Sequence, residues 1–229
     1  MPASVVVFDA YGTLFDVNAA ARRAAAEPGR AALAEKQAEL ARIWREKQVG
    51  YSWWRAITDT YVPFRQVTEE ALDYALDAVG LSGDADLRTA LLALYWALDA
   101  YPEVPDTLAA LGAAGIPAAI LSNGSPDMLD GAIAAAGIGD ALDAALSVAD
   151  VGTFKPSAPV YDMVGARYGC APADVLFISS NGWDVCAAAG YGFRTAWVNR
   201  AGAPVERLPT QPDRTITDLT PVPELARRQ

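Results

Sequence analysis

Apolar residues fall along this chain in two rhythms. The first is a short unbroken run, Val5-Val6-Val7-Phe8, that delivers Asp9 into the turn Ala10-Tyr11-Gly12-Thr13-Leu14. A run of that kind, closed by a turn, predicts a strand buried on both faces, as in a parallel sheet. From about Phe15 the spacing changes to three and four residues. Leu40, Ile43, Trp44, Lys47, Tyr51 and Trp54 share one predicted helical face, and Leu72, Ala75, Leu76 and Val79 share a second that stops at Gly80. Leu87, Leu91, Leu94, Tyr95 and Leu98 make a third. The stretch 16–97 is therefore expected to be helical throughout, without a strand of its own.

After Tyr101 strand and helix alternate. Pro105 opens a helix that ends near Gly115, in keeping with proline first and glycine last. Strands are expected over 116–121, 142–148, 175–178 and 195–198, with helices over 128–136 and 161–168. A proline-rich tail is expected to run over the surface. Such alternation implies an α/β fold with right-handed crossovers and a parallel sheet covered by helices on both faces.

In a parallel sheet the carboxyl ends of the strands share one edge, and open α/β sheets hold their ligands there. Asp9, Ser122 with Asn123, Lys155, and Ser179 with Asn181 each close a predicted strand or lie in the loop after it. A lone Ser-Asn pair reads as turn chemistry. Four such positions on one edge predict a site.

Composition narrows what the site does. At 229 residues and 52% hydrophobic the chain has ample material for a core. A formal net charge of −10 argues against nucleic acid or an anionic membrane as partner, because both need a basic footprint. An anionic substrate must then be captured by a local positive site. With no run of 18 apolar residues and no signal-like start, the protein is expected to be soluble and cytoplasmic. Two cysteines, Cys170 and Cys186, make neither a disulfide framework nor a metal cluster. There is no histidine. That removes Ser-His-Asp and Cys-His catalysis and the commonest zinc sites. Carboxylates, lysine, arginine and tyrosine are left to do the chemistry. Lys36 and Lys47 lie in a charged helical stretch, so Lys155, beside Pro156, stands apart.

The stretches FDAYGTLFDV, LSNGSP, Phe154-Lys155-Pro156 and FISSNGWD together resemble the haloacid dehalogenase superfamily, and within it the L-2-haloacid (type II 2-haloacid) dehalogenases. IWREKQVGYSWWR resembles their cap segment. The resemblance implies a Rossmann-like parallel-sheet core domain from 1–15 and 98–229, with an inserted helical cap domain over 16–97. It also separates two chemistries. Phosphatases of the superfamily carry a second aspartate two residues after the nucleophile and a late acidic cluster for magnesium. Here the first position is Tyr11, and the late segment Ser179-Ser180-Asn181-Gly182-Trp183-Asp184 has one carboxylate.

The implied reaction is therefore metal-independent and free of cofactors. Asp9 attacks the α-carbon of an (S)-2-haloalkanoate, halide leaves, and water hydrolyses the aspartyl ester to an (R)-2-hydroxyacid. The resemblance implies Lys155 as the cation that favours ionised Asp9, and Asp184, near Lys155 and Asn181, as base or positioner for the second step. Arg45 and Asn123 are implied for the halide, and Ser122 and Thr13 for the substrate carboxylate. Tyr11, Val49, Phe64 and Trp183 would form the apolar wall, and Tyr161 and Ser179 would support the site. A homodimer through the aromatic cap helix is expected. A magnesium-dependent phosphatase or phosphomutase of the same fold is the alternative, and a catalytically silent binding protein the third reading.

Overall fold

The structure, a computed structural model, describes residues 2–228. Its centre is strand β1 (Val5–Phe8), whose four side chains are fully buried. β-Branched residues suit a pleated surface covered on both sides. Strands β2 (Ala118–Ser122) and β4 (Val175–Ser179) flank it, with β3 (Ala144–Ser147) outside β2 and β5 (Arg194–Val198) and β6 (Arg214–Ile216) outside β4. All five pairings are parallel, in the order β3-β2-β1-β4-β5-β6. Chain order runs outward to one side of β1 and then to the other, so the crevice between the ends of β1 and β4 is the point where open α/β sheets bind ligands. Phe8 pairs with both Ile120 and Ile178, which brings Asp9, Ser122 and Ser179 to one edge.

Between β1 and β2 the chain forms only helices: α1 (Ala19–Ala25), α2 (Ala31–Thr58), α3 (Phe64–Ala78) and α4 (Ala85–Trp96). Gly80, at φ +69°, takes the left-handed conformation that closes α3. The segments that lead into and out of this helical insertion are stitched together. Asp16 N–H donates to the Asp99 carbonyl at 2.9 Å and Tyr101 N–H to the Leu14 carbonyl at 2.9 Å, with Phe15 and Ala100 bridged antiparallel. Helices α5 (Val104–Ala113), α6 (Pro126–Ala136), α7 (Ala158–Tyr168), α8 (Gly182–Tyr191) and α9 (Val222–Arg227) belong to the sheet half. No helix among the described residues is long and apolar enough to cross a membrane.

Two sequence expectations need correction, and one helix has no signal in the sequence. The buried stripe of α2 is Leu40, Trp44, Gln48 and Ser52 at four-residue steps, while Trp54 is 69% exposed. Gln48 is buried because its amide is satisfied: Nε2 donates to Thr68 Oγ1 at 2.9 Å, and Oε1 accepts from the Tyr95 hydroxyl at 3.1 Å. The tail is more than a surface strap, since it supplies β6 and α9. Helix α8 has no amphipathic signature to read, since its core-facing positions Asp184, Val185, Cys186 and Ala188 mix a charge with small residues.

Candidate active site

Asp9 leaves β1 with its backbone N–H still bonded to the Ile178 carbonyl at 2.9 Å, so the sheet fixes where its side chain begins. The turn beyond is tight. The N–H groups of Thr13, Leu14 and Phe15 all reach the Ala10 carbonyl, and Gly12 takes φ +90° with its Cα facing Ser180. A Cβ at Gly12 would lie 3.0 Å from Ser180 Oγ, so a side chain there is strained twice, by φ and by contact.

This turn returns Thr13 to Asp9. Thr13 Oγ1 donates to Asp9 Oδ2 at 3.0 Å and accepts from the Ser180 N–H at 2.8 Å. Asn181 Nδ2 donates to the same Oδ2 at 2.8 Å, and Ser179 Oγ holds the Asn181 backbone N–H at 3.1 Å. Lys155 Nζ reaches Asp9 Oδ1 at 3.2 Å and Asp184 Oδ2 at 2.9 Å, in a pocket where Lys155 and Asp184 are essentially without solvent. Tyr161 donates its hydroxyl to Asp184 Oδ1 at 2.8 Å. Burial alone would lower the Lys155 pKa, but the Asp184 and Asp9 carboxylates outweigh it and hold the ammonium above the ordinary lysine range. Burial pushes the Tyr161 phenol well up, Asp184 adds to that, and the ring stays a neutral donor.

In front of Asp9 lies a small cavity of about 20 Å³ lined by Asp9, Tyr11, Arg45, Val49, Ser52, Phe64, Ser122, Asn123, Lys155 and Trp183. Thr13, Tyr161, Ser179, Asn181 and Asp184 stand behind or beside it: Thr13 and Asn181 touch Asp9, Asp184 touches Lys155, Ser179 holds Asn181, and Tyr161 holds Asp184. The structure thus gathers in one place all the residues singled out in the sequence.

The insertion's contribution comes from one face of α2, where Arg45, Val49 and Ser52 follow one another at i, i+4 and i+7. Ser52 escaped the sequence reading, although that spacing from Arg45 was its signal. Arg45 Nη2 donates to Asn181 Oδ1 at 3.1 Å and lies 3.4 Å from the Tyr11 carbonyl. Among the described residues it has no carboxylate partner. Asn123 Oδ1 accepts from the Lys155 N–H at 2.9 Å, which leaves its Nδ2 as a donor. Ser122 Oγ accepts from the Gly124 N–H at 3.0 Å and keeps its own proton to give.

Tyr11 stacks on Tyr95 at 5.6 Å and 15° and packs beside Phe64. Its hydroxyl is buried without a protein partner. Among the described residues no group of three His, Cys, Asp or Glu side chains is placed to hold a metal ion.

A carboxylate held on one oxygen by two neutral donors and on the other by a buried lysine, facing a small cavity walled by both polar and apolar side chains with an arginine among them, has the parts that displacement at carbon requires. Residues 3–192 match the haloacid dehalogenase-like hydrolase family. The chain is 41% identical over 227 residues to (S)-2-haloacid dehalogenase 1 of Pseudomonas sp. (strain CBS-3), covering 99% of this chain and 98% of that one. Among solved structures it is similar to an L-2-haloacid dehalogenase at a TM-score of 0.91, with 37% identity and 99% of each chain covered. It is also similar to the L-2-haloacid dehalogenase of Xanthobacter autotrophicus solved with chloropropionic acid covalently bound, at a TM-score of 0.86, 38% identity, and 97% and 98% of the two chains. Its parallel sheet, the helical insertion placed over the sheet's carboxyl edge and the match along its length agree: this chain belongs to the haloacid dehalogenase-like hydrolases.

Proposed function

We propose that this protein hydrolyses short-chain (S)-2-haloalkanoic acids to (R)-2-hydroxyacids and halide, through an ester on Asp9. The observation that carries the reading is the double contact of Lys155 with Asp9 and Asp184. The single carboxylate of the late segment, Asp184, shares the protein's own cation with Asp9, and Tyr11 stands where the phosphatases of the superfamily carry a second aspartate. No magnesium is called for.

Asp9 Oδ2 has two donors at 2.8 and 3.0 Å, whereas Oδ1 has the single Lys155 contact at 3.2 Å and is freer to attack. It attacks the α-carbon from the side opposite the halogen. The carbon–halogen bond breaks, the halide leaves with the bonding pair, and the α-carbon inverts. Arg45 and the Asn123 amide receive the halide, Ser122 serves the substrate carboxylate, and Tyr11, Val49, Phe64 and Trp183 exclude water; Thr13, expected at the substrate carboxylate, instead keeps its hydroxyl on Asp9 Oδ2. Water then adds to the Asp9 carboxyl carbon, and the ester C–O bond breaks to release the hydroxyacid and restore Asp9 with the loss of one proton. Asp184, both of whose oxygens are already engaged by Lys155 and Tyr161, acts as positioner in this second step.

In this reading residues 1–15 and 98–229 form the core domain and 16–97 a cap that closes over Asp9. The enzyme works in the cytoplasm as a homodimer, with the exposed Trp54 and Ile57 of α2 as the apolar surface that supports pairing. Halide release from chloroacetate and from both enantiomers of 2-chloropropionate tests the activity; release only from the (S) form, unchanged by EDTA, is expected. In a single turnover in heavy-oxygen water the label should enter Asp9, and label found only in the product would sink the ester.

A further inference from the structure

Arg200 lies in the loop after β5 and has no part in the reaction outlined above. Its guanidinium nevertheless holds three pieces of the molecule together. Nη2 donates to the Thr13 carbonyl at 3.2 Å, and Nη1 pairs with Glu103 Oε1 at 2.6 Å, at the start of α5. The guanidinium carbon lies 3.8 Å from the centre of the Tyr101 ring. Arg200 and Glu103 side chains are only 22% and 16% exposed, so water competes weakly for these contacts.

Two of the three partners bear on the Asp9 turn, and the third anchors the guanidinium to the returning segment. Thr13 carries the hydroxyl that holds Asp9 Oδ2. Tyr101 carries the N–H that bonds the Leu14 carbonyl, one residue further along the same turn. Glu103 follows in the segment that returns from the helical insertion. The turn itself is closed by amides that converge on Ala10, around a glycine at φ +90°, and this pattern leaves the Thr13 carbonyl for an outside donor. A charged donor there fixes the peptide plane of Thr13 and with it the direction of the hydroxyl.

We propose that Arg200 is a positioning residue: it clamps the Asp9-bearing turn to the returning segment, so that Thr13 stays on Asp9 Oδ2. The proposal rests on Asp9 being the nucleophile. Arginine suits the task and lysine does not, because only a planar fork donates to Thr13 and pairs with Glu103 while its carbon sits over Tyr101.

The test uses Arg200→Met and Arg200→Lys, each alone and with Thr13→Val, measured by halide release from (S)-2-chloropropionate and by melting temperature. Amide exchange over residues 9–16 and 97–104 is followed without substrate. Arg200→Met is expected to lower kcat about tenfold or more with KM changed less than about twofold, since small misplacements at a reacting centre are costly. In the Thr13→Val background, where the hydroxyl that Arg200 directs is gone, the same change should cost less than about twofold, the non-additivity of residues that act as a unit. Arg200→Lys keeps a cation opposite Glu103, secures a folded variant, and should lose most of the same kcat. Exchange over 9–16 should quicken about tenfold in both variants as local opening becomes easier. Losses that multiply, a lysine variant equal to wild type, or unchanged exchange would overturn the clamp. If the wild type releases no halide, the proposed activity fails, and the exchange arm still decides the clamp by itself.

Discussion

In the proposed reaction the chemistry turns on Lys155, a buried cation between two carboxylates with contacts of 3.2 and 2.9 Å. Replacing it with methionine leaves Asp9 and Asp184 facing each other without compensation. Removing one partner of a buried pair costs about 3–5 kcal/mol, so Lys155→Met should melt markedly lower and show halide release reduced by about 10²-fold or more. The pH dependence follows from the raised lysine pKa. A cation held above its ordinary value gives its full stabilisation below that value and loses it as pH rises through the folded one. Activity and thermal stability limited by Lys155 should therefore persist to about pH 10 and fall beyond it. A kcat profile whose alkaline limb fell near pH 8 would assign that limb to some other group.

Two elements control the shape of the cavity from outside it. After β2 the chain turns at Gly124, where an added Cβ would lie 2.7 Å from Tyr11 Cε2 and 3.1 Å from Leu129 Cδ2. Tyr11 is held between Tyr95 and Phe64 and has nowhere to retreat. Gly124→Ala should then cost about 1–3 kcal/mol by overpacking and raise KM as the Tyr11 ring shifts, both readable from a melt and a saturation curve. In the insertion, Gln48 joins α2 to α3 and α4 through Thr68 and Tyr95. Gln48→Leu leaves the Tyr95 hydroxyl and Thr68 without their partner and should destabilise by about 1–3 kcal/mol in thermal or urea unfolding; no measurable change would mean that the network carries no net weight.

These elements also show what could be read in the sequence. β1, β2 and β4 were legible because strands buried on both faces need continuous apolar runs, and the residues that close them fell on the catalytic edge for the same reason. Gln48 was illegible because a polar residue reads as exposed until its partners, 20 and 47 positions away, are known. Arg45 was found by motif. Ser52 sits inside the cap stretch without standing out from it, Arg200 belongs to no run and no motif, and only folding shows what Arg200 touches.

At the scale of the whole molecule, the proposed reaction asks a chain of net charge −10 to admit an anion, and the two cations that line the cavity are Arg45 and Lys155. The same molecule leaves Trp54 69% and Ile57 83% exposed near the end of α2. Exposed apolar side chains of that size on one helix suit a self-complementary dimer contact. Trp54→Arg with Ile57→Arg should convert a dimer into a monomer by light scattering, with the halide-release chemistry retained.

The stitched segments at 14–16 and 99–101 join the helical insertion to the sheet half, and the cavity between the two is small. About 20 Å³ holds roughly one water molecule, so the form described here is shut to even a two-carbon acid. In the proposed reaction each catalytic cycle then includes a breath of the helical insertion, out to admit the acid and back to expel water. However good the alignment at Asp9, turnover has a ceiling in the frequency of that breath. Selection for a faster enzyme would act on the paired segments between lid and sheet before it acted on the carboxylate.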